Sequence, residues 1–391
     1  MKVCNSMTGN QHLHIISFDI PWPPNYGGVI DVFYKIRALS QAGVSIHLHC
    51  FEYHRKPDKS LEALCSSVHY YPRKTGLMAH LSLQPYIVGS RISEDLIRNL
   101  LKDQYPILFE GIHTCHPMKD PRLAGRLKIY RESNIEHQYY YHLFKAEKEL
   151  HKKTFFLIES LKLKRFQKYL KYADVMLVVS EEDRKYLQSR FPRMEIRYMP
   201  SFHREDGIFM KEGKGSFALY HGKLSVPENE QAAIYLIREV WDKTMPELII
   251  AGLNPGERLI RSAHGKNNIR IIADASEEKM FNLIRDAHLH IMVTFQPTGL
   301  KLKMLNALYN GRFCLVNEQM VAGTSLAPLC LIANTPAGLR EKAMGCFGEE
   351  FTEDMIRARL AYLETAYSNK KNCTALLNLL NLQYEKNIGP C

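Results

Sequence analysis

The sequence predicts an α/β protein of two doubly wound domains, each a parallel sheet covered by helices on both faces. Three observations predict it. Short runs rich in β-branched and aromatic residues alternate with amphipathic stretches of helical period along the whole chain. The alternation breaks once, in a polar, Gly-rich segment near the middle, and then restarts. A length of 391 residues is too great for one ordinary domain and comfortable for two.

In the first half, strands are expected at HLHIISFD (12–19), SIHLHCFEY (45–53), SVHYYP (67–72), PILFEG (106–111), LKIYRES (127–133) and VMLVVS (175–180). Between the first two lies a helix from Val29 to Ala42, with Val29, Val32, Phe33, Ile36 and Leu39 as its apolar stripe. The second half offers FALYHG (217–222), ELIIAG (247–252), NIRIIAD (268–274), LHIMVTF (289–295), RFCLVN (312–317) and LCLIAN (329–334). The break is HREDGIFMKEGKGS (203–216). The expected division is therefore a first domain over 1–205, a linker over 206–216, a second domain over 217–370, and a C-terminal helix or tail over 371–391 placed to pack back on the first domain. Strand-helix alternation implies parallel sheets, and ligands of such sheets bind at the carboxyl ends of the strands.

Composition narrows the class. Hydrophobic residues make up 46% and charged residues 24%, the balance of a protein with substantial cores. No run approaches eighteen apolar residues, and MKVCNSMTGNQHLHIISFD lacks the apolar region of a signal peptide. Nine cysteines in no paired spacing read as reduced thiols, so a cytoplasmic location is expected. The net charge of +11 favours an anionic partner: nucleic acid, anionic lipid or a phosphorylated small molecule. Charge alone does not choose among them. No nucleic-acid-binding motif or base-stacking platform is evident, so nucleic acid is not expected.

Four loops and one helix are candidates for chemistry. Asp19-Ile-Pro-Trp-Pro-Pro-Asn-Tyr-Gly27-Gly28 leads into a helix, where paired glycines allow close approach and free N–H groups face an anion. A turn that merely needs glycine is the plain alternative. In FQPTGLKLKMLNALYNG (295–311), Pro297, Thr298 and Gly299 open a helix with the apolar stripe Leu302, Leu305 and Leu308–Tyr309. Lys301 and Lys303 in its first turn oppose the helix dipole, a conflict that a diphosphate on the N-terminus resolves; a solvated basic face is the alternative. His221-Gly222-Lys223 ends the first strand of the second half, offering close approach and a point charge. Glu110-Gly-Ile-His113-Thr-Cys-His116 follows a strand; with no second Cys/His pair at a partner spacing, no metal is expected, and His113 is an acid/base or hydrogen-bonding candidate or a structural histidine. Residues 151–173 form a basic amphipathic helix whose apolar stripe is Phe155, Ile158, Leu161, Phe166, Tyr169 and Ala173. Its cations suit anionic headgroups, or simply solvent.

Together these segments resemble the group 1 glycosyltransferases, specifically glycosyltransferase family 4. The first strand with PWPPNYGG and its helix is similar to that family's acceptor-domain start, and YRESNIEHQYY (130–140) to its pattern of Arg, His-Asn, aliphatic and Glu after the fifth strand. GKLSVPENEQAAIYLIREVW (222–241) resembles its donor-domain start, a Gly followed by Pro-x-Asn and a helix. TGLKLKMLNALYNGRFCLV matches its helix bearing a Lys, a Leu-Glu-Ala run and a Gly before the next strand. The resemblance implies a GT-B fold, two Rossmann-like domains facing across a cleft, and retaining transfer of a hexose from a UDP- or GDP-linked sugar without a metal or other cofactor. It implies that Gly222, Lys223, Thr298, Gly299, Leu300, Lys301, Lys303 and Asn306 contact the donor. On the acceptor side it implies Gly27, Gly28 and Asn134, with His113 near the transferred sugar. The acceptor would be a glycan or polyprenyl-linked molecule at the inner membrane face, in polysaccharide or glycoconjugate synthesis.

Two departures stand out. The family's Glu–x7–Glu pair falls on Thr298 and Asn306, so both carboxylates are absent, and its His-Asn pair reads Ser133-Asn134. Two other functions share the fold: a nucleotide-sugar epimerase, which needs cleft carboxylates scarce in these donor loops, and a catalytically silent binding partner, which the missing glutamates favour.

Overall fold

A computed structural model describes residues 11–25, 27–76, 82–204, 209–295 and 302–388. The first sheet comprises β1 (His12–Ser17), β2 (Ser45–Glu52), β3 (Ser67–Pro72), β4 (Ile107–Glu110), β5 (Lys128–Glu132), β6 (Val175–Val178) and β7 (Glu195–Tyr198), in the order β3-β2-β1-β4-β5-β6-β7. The second comprises β8 (Phe217–Lys223), β9 (Glu247–Leu253), β10 (Ile269–Ala273), β11 (Leu289–Met292), β12 (Phe313–Val316) and β13 (Leu331–Ile332), ordered β10-β9-β8-β11-β12-β13. All neighbouring strands run parallel. Each sheet reverses its strand order beside its first strand, so the loops after β1 and β4, and after β8 and β11, open at the two switch points.

Six of the helices bear on the candidate site and on the packing of the two halves: α1 (Gly27–Gln41), α2 (Glu136–Ala146), α3 (Leu150–Phe166), α4 (Pro227–Tyr235), α5 (Leu302–Asn310) and α6 (Asn369–Ile388). The predicted stripe of α1 is buried throughout, as are Leu302, Leu305, Leu308 and Tyr309 of α5. The basic helix differs from expectation. It is α-helical only to Phe166 and continues as a 3₁₀ turn to Tyr172. Its inner face carries Glu159, Ser160, Leu163 and Phe166, while Ile158 and Leu161, assigned to the apolar stripe, face outward at 46% and 61% exposure. The cause is polar: Glu159 accepts the backbone N–H of Tyr86 at 2.5 Å and the Lys162 ammonium at 2.9 Å, which rotates the helix about its axis.

A buried ionic network ties α1 to the first sheet. Lys35 donates to Asp31 (3.1 Å) and Glu110 (2.6 Å), and Arg131 bonds Asp31 and the carbonyls of Met199 (2.7 Å) and Pro200 (3.0 Å). Asp31 also accepts the N–H of Phe202 at 2.6 Å; against the cost of burial, Arg131 and Lys35 first, and this hydrogen bond last, hold its carboxyl below the ordinary range. The chain leaves the first sheet through this segment and returns as α6. Cys373, Leu376, Leu379 and Leu380 of that helix fill the same core as Leu13, Val32, Ile36 and Leu39.

On one face of β1, β2 and β3 lies a ladder of imidazoles. His12 hydrogen-bonds His47 (3.1 Å), His14 hydrogen-bonds His49 (2.9 Å) and Asp103 (2.9 Å), and His49 reaches the Tyr71 hydroxyl (2.8 Å). Burial pushes His14 down to about 4 and His49 well below the ordinary histidine range, so both are neutral at pH 7.

Candidate active site

In the first half, three strand ends converge. The loop after β1 is pinned by Arg55, which donates to the Pro23 carbonyl (2.6 Å) and pairs with Asp19 (3.7 Å). It aims the Phe18 ring at His113, with centroids 5.1 Å apart. A Cβ at Gly28 would collide with that ring, so α1 starts close against Phe18 only because position 28 has none. Beyond Glu110, Gly111 adopts φ +70, and a side chain there would both strain the backbone and press on His113 Nδ1. This turn presents His113 on a 3₁₀ segment, Ile112–Thr114.

His113 Nδ1 is buried with no hydrogen-bond partner among the described residues, and the same holds for Asn134 Oδ1. Burial, then the cations Arg91 and Arg73, hold His113 well below its ordinary value and hence neutral. Arg91 is fixed by the carbonyls of Phe18 (2.8 Å) and Ile87 (2.6 Å). At the end of β5, Glu132 accepts the Tyr130 hydroxyl (2.7 Å) and the Asn134 N–H (3.3 Å), which shapes the turn into α2. Glu136, the first residue of α2, is half-buried. Burial raises its carboxyl to about 8, against the opposing pull of Arg91 and a hydrogen bond from the Asn134 side chain.

The second half supplies a cationic corner. Lys303, one residue into α5, donates to Asn229 Oδ1 at 3.1 Å and lies 5.2 Å above the Tyr220 ring. Asn229 in turn donates to the Lys223 carbonyl (3.1 Å) and takes the Tyr220 hydroxyl on its own carbonyl (3.1 Å). Gly222 and Lys223 thus share one corner with Lys303, and Lys223 is exposed. Burial and then Lys303 depress His221 to about 4. Asn317 brackets Thr294, at the end of β11, through both amide groups (3.1 and 2.7 Å), and Thr294 Oγ1 bonds the Glu228 carboxylate in the first turn of α4. Asn306 is exposed, and its amide oxygen is taken by Asn310 at 2.7 Å. Thr298, Gly299, Leu300 and Lys301 lie outside the described residues.

The two corners face each other. Cα atoms of α2 and α4 approach within 8 Å. Tyr139, one turn into α2, is raised to about 12 by burial, then Glu136, then Glu228 of the other half. His113, Asn134, Gly27 and Gly28 therefore gather on one side, and Gly222, Lys223 and Lys303 on the other. Arg91, Glu136 and Asn229 were not singled out from sequence, although Asn229 completes the Pro-x-Asn signal and Glu136 ends YRESNIE. A hollow of about 290 Å³ lined by Phe217, Ser276, Lys279 and Asp286 lies at the opposite end of β8 from this corner. Among the described residues, no group of three or more His, Cys, Asp or Glu side chains is arranged to hold a metal ion, and no helix is long and apolar enough to cross a membrane.

No family model matches the chain. An uncharacterized 44.6 kDa protein in the cps region of Klebsiella pneumoniae is 26% identical over 336 residues, covering 79% of this chain and 84% of its own. Among solved structures, Anabaena HepE in complex with UDP-glucose superposes with a TM-score of 0.64 at 10% identity, over 95% of this chain and 99% of that one. Sucrose-phosphate synthase from Thermosynechococcus elongatus gives 0.64 at 13% identity, over 96% and 99%. The lipopolysaccharide outer core galactosyltransferase WaaB gives 0.59 at 13% identity, over 96% and 100%. The fold is GT-B, as the sequence resemblance implied.

Proposed function

We propose that this chain is a glycosyltransferase that takes a hexose from a UDP- or GDP-linked sugar held by its second half. It would pass that hexose to a glycan or polyprenyl-linked acceptor held by its first half, in polysaccharide synthesis. The observation that carries the reading is the Lys303–Asn229–Lys223 corner facing α2 across the gap. Two ammonium groups there, one fixed by an amide and a ring face, are placed to stabilise the charge that gathers on a departing diphosphate. That is why we propose a reaction without a metal; retention at the anomeric carbon is proposed on the resemblance to family 4. Thr298, Gly299, Leu300 and Lys301 precede α5 in the chain and are assigned to the same diphosphate, and Asn306 to the donor. HepE and WaaB, a UDP-glucose complex and a galactosyltransferase, support the donor class, and the cps-region relative supports the pathway class.

One observation favours a second reading, a donor-binding partner without turnover: the Asn306 amide, where the resembled family has a carboxylate, is engaged by Asn310. Incubating the purified chain with UDP-glucose and GDP-mannose separates the two. A rise in Tm with release of free nucleotide supports the transferase; a rise in Tm with no turnover on any acceptor supports the partner; no rise with any nucleotide-sugar removes both.

We further propose that the acceptor is reached at an anionic membrane surface, in the cytoplasm, through α3 and the turn after it. Leu150 (78% exposed), Ile158 and Leu161 lie with exposed Lys164, Arg165, Lys168 and Lys171 on α3 and the turn after it. Apolar groups flanked by cations suit a headgroup layer better than water, each cation near the surface contributing roughly 1 kcal/mol.

A further inference from the structure

Transfer leaves one proton to be placed, and the first half offers three groups near the gap that could take it. His113 is buried and within electrostatic reach of the Arg91 and Arg73 guanidinium groups, so it binds a proton too weakly to serve as an efficient base. Glu132 is 2% exposed and already occupied by the Tyr130 hydroxyl and the Asn134 N–H. Glu136 differs from both. It is half-buried and opens α2, a helix whose Cα atoms come within 8 Å of those of α4, and Tyr139, one turn further on, is in electrostatic reach of Glu228 of α4. It has Arg91 within electrostatic reach and the Asn134 side chain as hydrogen-bond partner, while Asn134 Oδ1 and His113 Nδ1 remain without partners among the described residues.

We propose that Glu136 accepts the proton of the incoming acceptor hydroxyl, with Arg91 and Asn134 as the residues that position its carboxylate. The inference rests on the transferase reading. In the step, the acceptor oxygen bonds to the anomeric carbon of the donor sugar on the face that the diphosphate leaves, as retention requires. The bond from that carbon to the diphosphate oxygen breaks, its electron pair leaves on the diphosphate, and the hydroxyl proton moves to a Glu136 oxygen. The unpartnered His113 Nδ1 and Asn134 Oδ1 then meet hydroxyl groups of the bound sugars. Among the described residues, the charged and titratable groups in electrostatic reach of Glu136 are Arg91, which favours its ionised form, Tyr139 and Tyr140 on its own helix, and Tyr130 and Glu132 of β5; Glu159 of α3 is in reach of Tyr140. With its carboxyl raised to about 8, Glu136 ionises at the upper edge of the neutral range, so the rate rises with pH.

The test measures nucleotide release from UDP-glucose and GDP-mannose, with water as acceptor, from pH 6 to 9.5. Wild type, Glu136→Gln and Glu136→Asp are compared, with donor affinity and Tm read in parallel. Wild type is expected to show an ionisation near pH 8 in kcat/KM. Glu136→Gln should lose on the order of 10²-fold or more in kcat together with that ionisation, at unchanged donor affinity. Glu136→Asp should be slowed and keep the pH limb. If Glu136→Gln turns over at the wild-type rate with the same limb, or wild type shows no ionisation between pH 7 and 9, the proposal is overturned while the transferase reading stands. If wild type neither binds nor cleaves either donor, both fall together. A Gln variant that does not fold leaves the wild-type profile and the Asp variant to decide.

Discussion

Asn369 grips the backbone of His203 on both sides: its Oδ1 accepts the His203 N–H at 3.2 Å and its Nδ2 donates to the His203 carbonyl at 2.7 Å. The two chain segments that pass between the halves are thus joined by a paired amide contact. Asn372 adds a bond to the Pro200 carbonyl (3.0 Å), and His203 Nε2 hydrogen-bonds the Tyr367 carbonyl (2.8 Å). Asn369→Ala removes two hydrogen bonds from the buried backbone of His203. The expected cost is about 1–3 kcal/mol, measured by denaturant unfolding, while Asn369→Asp should keep the accepting half of the contact.

Donor binding should depend on the cationic corner. Lys303→Ala removes the ammonium fixed by Asn229 and is expected to weaken UDP-glucose binding about tenfold or more, with Lys223→Ala acting in the same direction, since a charge-assisted hydrogen bond contributes about 1.5–3 kcal/mol. Isothermal titration checks it. Full affinity in both variants would remove the corner from the donor site.

The imidazole ladder makes stability fall in acid. His14 sits near 4 when folded and near 6.5 when unfolded, so the unfolded chain binds the extra proton and stability rises with pH between those values. The loss begins as pH drops below about 6.5 and is complete near 4. For His14 alone the gap corresponds to about 3 kcal/mol, and His49 shifts in the same direction. Urea midpoints at pH 7.5 and 5 should separate strongly for wild type and less for His14→Gln.

Asp31 balances Lys35 and Arg131 in a site closed to water. Asp31→Ala would leave two cations facing one carboxylate, Glu110, and leave the Phe202 N–H unpaired. A loss of about 3–5 kcal/mol is expected, read as a fall in Tm; a change below 1 kcal/mol would mean that water reaches the network.

Anionic vesicles should retain the protein in a sedimentation assay and neutral phosphatidylcholine vesicles should not, with retention lost at high salt. Leu161→Glu combined with Lys168→Glu is expected to abolish retention without lowering Tm, since Leu161 and Lys168 are exposed.

Much of the architecture could be read from the chain because buried parallel strands are near-continuous apolar runs: VMLVVS became β6 and LHIMVTF became β11. LCLIAN shrank to the two residues of β13, an edge strand paired only with β12, where half the ladder that would hold it is missing. The side of α3 that faces inward was misread because a polar residue, Glu159, anchors it, and hydrophobic period carries no information about a carboxylate that meets a backbone amide. At the candidate site, glycines and lysines beside strand ends could be found locally. Glu136 stands at the end of the recognisable run YRESNIE, but its pairing with Arg91 could not be read, because Arg91 comes from a distant segment that no local pattern marks.

The core shared by Leu13 and Leu376 sets an order on synthesis. The β1 segment cannot complete the burial of its apolar face until α6 has been made, so the nascent first half must stay soluble through translation of the second half. A chain cut short before Asn369 would leave that face exposed permanently.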